Sequence, residues 1–239
     1  MEIYSVDSTN NYAMRQLKKE IAQHGFAYFA HHQYAGKGQR GKQWKTKAGE
    51  NIILSVVLNT SSLQVSRQFS LSIAIALAVH DLFSFYTVNN TSIKWPNDLY
   101  WCDRKAGGIL IENIIRGKDW QWSITGIGIN INQTIFDPSV LNAISLKQIT
   151  GKTYDPVQLA KELCNYLGQR YNQLINQGAE HMLAEYNFAL YQRNELVKLK
   201  KTNALFEATI KAVNEYGQLL VQAGTEQAYN VGEIEWIVS

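Results

Sequence analysis

Cysteine is scarce in this chain of 239 residues, which has only Cys102 and Cys164. They lie far apart and lack neighbouring ligand spacing, so they indicate neither a disulfide framework nor a zinc site and read as buried thiols. No apolar run reaches the ~18 residues a membrane-spanning helix needs. Met1-Glu2-Ile3-Tyr4-Ser5 also lacks the cationic and apolar regions of a secretion signal. A cytoplasmic protein with no membrane partner is therefore expected. Repeats and low-complexity segments are missing. The formal net charge of +3 is too small to imply nucleic-acid binding. Hydrophobic residues at 46% over this length can supply one substantial domain and a small one.

What positive charge there is gathers in one place. Residues 36–47 read Gly-Lys-Gly-Gln-Arg-Gly-Lys-Gln-Trp-Lys-Thr-Lys. Gly36, Gly38 and Gly41 let backbone N–H groups approach an anion where a Cβ would obstruct them. Lys37, Arg40, Lys42, Lys45 and Lys47 crowd like charges that call for something negative among them. Trp44 could stack on a base or anchor the loop to the body of the protein. The spacing satisfies G-x-G-x-x-G, yet the stretch leads into Ile52-Ile53-Leu54-Ser55-Val56-Val57-Leu58, a strand and not the helix of a dinucleotide fold. The segments of a protein kinase are missing as well. Taken alone, the run would also suit a solvated surface loop.

Two further segments shift that balance. Lys94-Trp95-Pro96-Asn97-Asp98 is a strand end entering a tight turn, fixing a cation and a carboxylate at a corner. Arg104-Lys105 opens the apolar strand Ile109 to Ile115, with Gly107 and Gly108 clearing bulk where a ligand or strand could pass close. Gly126 and Gly128 within Gly126-Ile127-Gly128-Ile129-Asn130-Ile131-Asn132 repeat the pattern.

Other elements follow from periodicity. Asp7-Ser8-Thr9 caps a helix with Ala13, Leu17 and Ile21 on one face, ended by His24-Gly25. Phe26 to His31 and Asn51 to Leu58 read as strands, Arg67 to Phe83 as a buried helix. Arg116-Gly117-Lys118-Asp119 joins a hairpin of Ile109–Ile115 and Trp120–Ile131. Asp155-Pro156 caps a helix to about Gln177, and a shorter one spans Ala179 to Leu190. Beyond Glu195 come short β segments, Leu196–Lys200, Leu205–Val213, Leu219–Gln222 and Ile234–Val238.

Ser8-Thr9-Asn10, the Gln33 to Trp44 loop, Lys94 to Asp98, Arg104 to Glu112 and Gly126 to Asn132 together resemble the biotin protein ligases, and fall in that family's order. Ala143 to Leu146 agrees more loosely. The resemblance implies an α+β fold: a mixed sheet flanked by helices over residues 1–190, of the class II synthetase-like biotin/lipoate ligase type, and a small SH3-like β-barrel over residues 191–239. Members that also repress transcription carry a preceding winged helix. Here Ser8-Thr9-Asn10 lies so near Met1 that a monofunctional enzyme without a DNA partner is expected.

Such an enzyme has the biotin carboxylate attack the α-phosphorus of ATP, with Mg²⁺ on the polyphosphate. The biotinyl adenylate is then passed to a lysine of the biotin carboxyl carrier protein. By resemblance Lys105, Arg40 and Lys37 are catalytic. Ser8, Thr9, Gln33, Lys37, Lys105, Leu110 and Gly126 hold biotin, and Gly36, Gly38, Arg40, Trp44, Asp98 and Asn130 hold the nucleotide. Asp98 either positions Lys105 or organises metal and phosphate, and no residue is singled out as a metal ligand. Ser8 and Thr9 would also suit simple helix caps. The resemblance allows a homodimer. Where many members carry arginine this chain has Gln39, and Lys37 and Lys42 stand where arginine is often seen, keeping charge without the bidentate fork. Two other functions fit parts of the pattern: lipoate or octanoate transfer, on the same fold, and a non-catalytic adaptor using the C-terminal barrel.

Overall fold

A computed structural model describes residues 1–137 and 142–237. The chain runs β1 (Glu2–Val6), α1 (Thr9–Lys18), β2 (Ala27–Gln33), β3 (Asn51–Asn59), α2 (Gln68–Thr87), β4 (Thr91–Lys94), β5 (Asp98–Trp101), β6 (Arg104–Arg116) and β7 (Asp119–Asn130). Helices α3 (Leu146–Thr150), α4 (Pro156–Gln177) and α5 (Glu180–Phe188) follow. Strands β8 (Leu196–Lys201), β9 (Ala204–Val213), β10 (Leu219–Ala223), β11 (Thr225–Tyr229) and β12 (Glu235–Ile237) close the chain.

Strands β1 to β7 form one sheet in the order β1-β2-β3-β7-β6-β5-β4, antiparallel except for the parallel pair β1 and β2. Side chains alternate between its faces, which gives the two faces different chemistry. One carries Ile52, Leu54, Val56, Leu58, Ile109, Ile127 and Ile129 into a core shared with α2 and α4. The other carries Asn51, Ile53, Ser55, Leu110, Gly108, Gly126, Gly128 and Asn130. In register, Ser55 and Leu110 flank Gly126, and Ile53 and Gly108 flank Gly128.

Helix α2 fills the core because small and large apolar residues succeed one another on every side, from Leu71 through Phe83. One expectation is corrected here. Val65–Thr87 is long and apolar enough, by length and composition, to cross a membrane; its most apolar window is 61% buried against the rest of the protein. Asp81 on α2 is tied to Arg170 of α4 at 2.7 Å, and Arg170 to Glu185 of α5 at 2.8 Å. At α4, Asp155 Oδ1 accepts from the N–H groups of Val157 and Gln158 ahead of Pro156, as the sequence foretold. Helix α1 is shorter than expected. It stops at Lys18 because Glu20 adopts a left-handed φ of 58°, leaving Ile21 56% exposed while Ala22 is buried. The thiols also differ from expectation: Cys102 is exposed in the β5–β6 turn and Cys164 only partly covered on α4.

The second sheet is antiparallel, ordered β11-β10-β9-β8-β12, an arrangement consistent with an SH3-like domain. The β11 strand was not foreseen, and the last strand covers Glu235–Ile237, with Val238 outside the described residues. Leu199, Ile210, Val213, Leu219 and Val221 of this sheet join the same hydrophobic core as α2.

Candidate active site

The glycine-lined face of the first sheet is the floor of a cleft. A Cβ at Gly126 would lie 2.4 Å from Asn10 Oδ1, so only glycine lets the N-terminus of α1 seat its amide on β7. Around that contact runs a polar cluster. The Thr9 N–H donates to Gln33 Oε1 at 2.7 Å and the Thr9 hydroxyl to the same oxygen at 3.1 Å. The Ser55 hydroxyl lies 2.7 Å from Thr9 Oγ1 and 2.6 Å from Asn10 Oδ1. Asn10 Nδ2 donates to Glu112 Oε2 at 2.8 Å and to the Leu110 carbonyl at 3.3 Å. Ser8 is buried at the N-cap but makes no capping hydrogen bond with its side chain, so a cap is not what its hydroxyl serves.

The basic run forms a narrow hairpin over this floor. The Trp44 N–H donates to the Gly36 carbonyl at 3.0 Å and the Gly38 N–H to the Lys42 carbonyl at 2.7 Å. A Cβ at Gly36 would fall 2.4 Å from the Trp44 carbonyl oxygen, which requires glycine there. The loop's charges find partners outside it: Lys37 with Glu112 at 3.3 Å, Lys45 with Asp137 at 2.9 Å and Lys47 with Glu50 at 2.5 Å. The expectation that a ligand must supply the counter-charge is thus corrected for three of the five cations. Trp44 lies flat on the sheet, where a Cβ at Gly128 would come 2.4 Å from its Cε2. Its buried Nε1–H has no partner among the described residues. The hairpin, Leu110 and Glu112 enclose a cleft of about 350 Å³, within the usual range for small-ligand sites.

Beyond Gly108 sits the cationic end. Lys105 Nζ contacts Asp98 Oδ2 at 2.6 Å. The Lys105 backbone pairs with residues 142–144: its N–H donates to the Asn142 carbonyl at 2.7 Å and its carbonyl accepts from Ile144 at 2.9 Å. Asn130 Nδ2 donates to the carbonyls of Ile144 and Lys105 at 3.1 and 3.4 Å. Its amide therefore braces the segment carrying Lys105. Lys94, 8% exposed, is ringed by Tyr100, Tyr191 and Trp236 with centroids at 4.7, 5.5 and 5.5 Å. Burial pushes its pKa down to about 8; Asp98 pulls the other way and Lys105 adds to the depression.

The structure brings Thr9, Gln33, Gly36, Lys37, Leu110 and Gly126 together at one end, and Asp98 and Lys105 at the other. It does not bring Arg40 there. Arg40 holds a left-handed φ of 57°, and its guanidinium occupies the space beside Gly232 in the turn between β11 and β12, where a Cβ would overlap it. Sequence reasoning missed Ser55 and Glu112 as site residues. Ser55 was detectable as the one hydroxyl within an otherwise apolar strand. The bond of Glu112 to Lys37 spans 75 positions and leaves no local signal. Among the described residues no three His, Cys, Asp or Glu side chains converge as a metal cage.

Comparison with known proteins gives this geometry relatives. The family model described as "Biotin/lipoate A/B protein ligase family" matches residues 2–130. The chain is 32% identical over 160 residues to the "Bifunctional ligase/repressor BirA" of Salmonella typhimurium, covering 66% of this chain and 49% of that protein. It is 32% identical over 157 residues to the "Biotin--[acetyl-CoA-carboxylase] ligase" of Paracoccus denitrificans, covering 63% of each. The chain thus spans about half to two thirds of the length of these relatives. A solved biotin protein ligase from Aquifex aeolicus in complex with biotin and ATP superposes with a TM-score of 0.83 at 25% identity, covering 100% of this chain and 98% of that one.

Proposed function

We propose that this chain, which belongs to the biotin/lipoate A/B protein ligase family, activates biotin with ATP and transfers it to a lysine of a biotin carboxyl carrier protein in the cytoplasm. The observation that carries this reading is the glycine-lined sheet face with unlike groups toward its two ends. The polar cluster at the Gly126–Leu110 row and the Lys105–Asp98 pair beside Gly108 lie one i, i+2 step apart on the sheet, roughly 7 Å at the usual strand rise. That suits a ligand with a neutral hydrogen-bonding head, a short apolar stem and an anionic tail.

A carboxylate is a poor acyl donor because oxide would have to leave. Its oxygen forms a bond to the α-phosphorus, pyrophosphate departs, and the product is a mixed anhydride. Two anions must approach, and a fixed cation lowers that barrier. We assign that task to Lys105, released from Asp98 by the incoming charge, with Lys37 closing from the loop. Arg40 joins them only if its guanidinium leaves Gly232. Ser8, Thr9 and Gln33 hold the ureido ring over Gly126 and Leu110. The amides of Gly36 and Gly38, with Trp44 and Asp98, hold the nucleotide, and Asn130 acts through the Lys105 segment. With no set of three His, Cys, Asp or Glu side chains among the described residues to cage a metal, Mg²⁺ would be held chiefly by the ATP phosphates, where it would supply charge neutralisation for the polyphosphate. In the second step the acceptor amine bonds to the acyl carbon and AMP leaves. We assign residues 1–190 to the activating domain and 191–239 to a second, smaller one.

The test is ATP–pyrophosphate exchange driven by biotin, run beside lipoate and octanoate. Exchange with biotin alone is expected, and Lys105→Ala should lower it at least ~10²-fold while the protein stays folded. Comparable exchange with lipoate would point to the other branch of the family.

A further inference from the structure

We infer that Glu112 is a positioning residue that holds Lys37 in reserve over the cleft until an anionic substrate displaces it. The inference rests on biotin being the substrate. Glu112 lies within β6 between Ile111 and Asn113, and its two carboxylate oxygens face different partners. Oε1 accepts from Lys37 Nζ at 3.3 Å and Oε2 from Asn10 Nδ2 at 2.8 Å. The second contact orients the Asn10 amide: Nδ2 points to Glu112 and the Leu110 carbonyl, Oδ1 to Ser55. The first contact is of another kind. Lys37 and Glu112 are 41% and 33% exposed and both line the cleft. An ion pair in such a setting is worth a factor of only about two to five in an equilibrium, so a competing carboxylate can exchange it.

A ligand whose carboxylate lies toward Lys105 draws Lys37 away from Glu112, because the exposed pair exchanges partners at little cost. Lys37 passes from one carboxylate to the other, and the hairpin that carries it is drawn over the ligand. A neutral ligand of the same shape triggers no exchange. Glu112 therefore sets the enzyme's preference between charged and uncharged forms of its substrate. It also parks the lid lysine, which would otherwise be free to wander.

Titration calorimetry of the full chain with biotin and with biotinamide, in wild type and Glu112→Gln, tests this. The glutamine keeps an acceptor for Asn10 and removes only the charge. The ratio of the biotinamide Kd to the biotin Kd should rise about two- to fivefold in the variant, through tighter biotin binding. Trypsin should also cut the ligand-free variant after Lys37 sooner than wild type. In Lys37→Gln the ratio should fall, and adding Glu112→Gln to it should not raise it again. An unchanged ratio in Glu112→Gln, including equal weakening of both ligands, would reduce Glu112 to a structural partner of Asn10 and overturn the inference. Failure of wild type to bind biotin would instead remove the functional reading on which it stands.

Discussion

Gly128 is the point where the floor of the cleft meets the lid, and Gly128→Ala isolates that contact. The new Cβ would stand 2.4 Å from Trp44 Cε2 and 2.6 Å from Cζ2 and Nε1. Ordinary carbon contacts begin near 3.5 Å, so the indole must retreat by about 1 Å. The β7 backbone cannot yield instead, since Gly128 is paired with Ile53 on one side and Gly108 on the other. The hairpin can, because the three backbone bonds between residues 36 and 44 tie it to itself and its ion pairs to the body are exposed. Folding stability should therefore fall by no more than about 1–3 kcal/mol, the usual range for overpacking. If Trp44 stacks on adenine from this seat, losing it should weaken ATP by about 1–3 kcal/mol, or roughly 5- to 150-fold in KM. Exchange kinetics with ATP varied at saturating biotin, beside a denaturant titration, measure both. Trp44→Ala should weaken ATP to a similar degree, and adding Gly128→Ala to it should do nothing more, since the clashing ring is gone. A folded Gly128→Ala protein with wild-type KM for ATP would refute the stacking role.

Lys94 should make stability depend on pH. Its folded pKa of about 8 lies below the ordinary lysine value, so between these the unfolded chain binds more protons and stability should rise from pH 8 to 9.5 relative to Lys94→Met; parallel urea titrations at both pH values would show it, and a constant difference would contradict it. Gly168 is exposed within α4, and a Cβ added there would meet nothing within 4 Å, so Gly168→Ala should stabilise by about 0.5–1 kcal/mol without touching exchange; thermal unfolding checks this.

Where local chemistry dictates structure, the sequence could be read directly. The apolar, largely β-branched run of β3 around Ser55, the Asp155-Pro156 start of α4 and the Arg116-Gly117-Lys118-Asp119 turn each carry their own instruction, and each element forms where expected. Strand β1 does not. It is five residues long and pairs in parallel with β2, so no turn announces it. Strand β11 is polar because it lies at a sheet edge, and it escaped notice for that reason. The early stop of α1 depends on a left-handed glutamate, a conformation that only glycine would have advertised. In the site, Gly36, Gly126 and Gly128 were legible as points of close approach, and the structure names what approaches them: the Trp44 carbonyl, Asn10 and the Trp44 ring. Ion-pair partners were not legible. Glu112, Asp137 and Glu50 pair with three of the loop's five cations, two of them from distant parts of the chain, and Arg40 finds its place only once the C-terminal sheet is folded beside it.

The aromatic ring around Lys94 draws one wall from the far end of the chain. Trp236 sits on the last strand, Trp95 donates its indole N–H to the Gly217 carbonyl at 2.9 Å, and Phe69 at the head of α2 is pressed against Gly217. A cut near residue 190 would therefore run through a shared core. It would strip a buried ammonium of part of its shelter, orphan an indole and uncover the mouth of the longest apolar helix. The terminal sheet is better regarded as the outer casing of the machinery, and a truncated enzyme as a machine run with its housing removed.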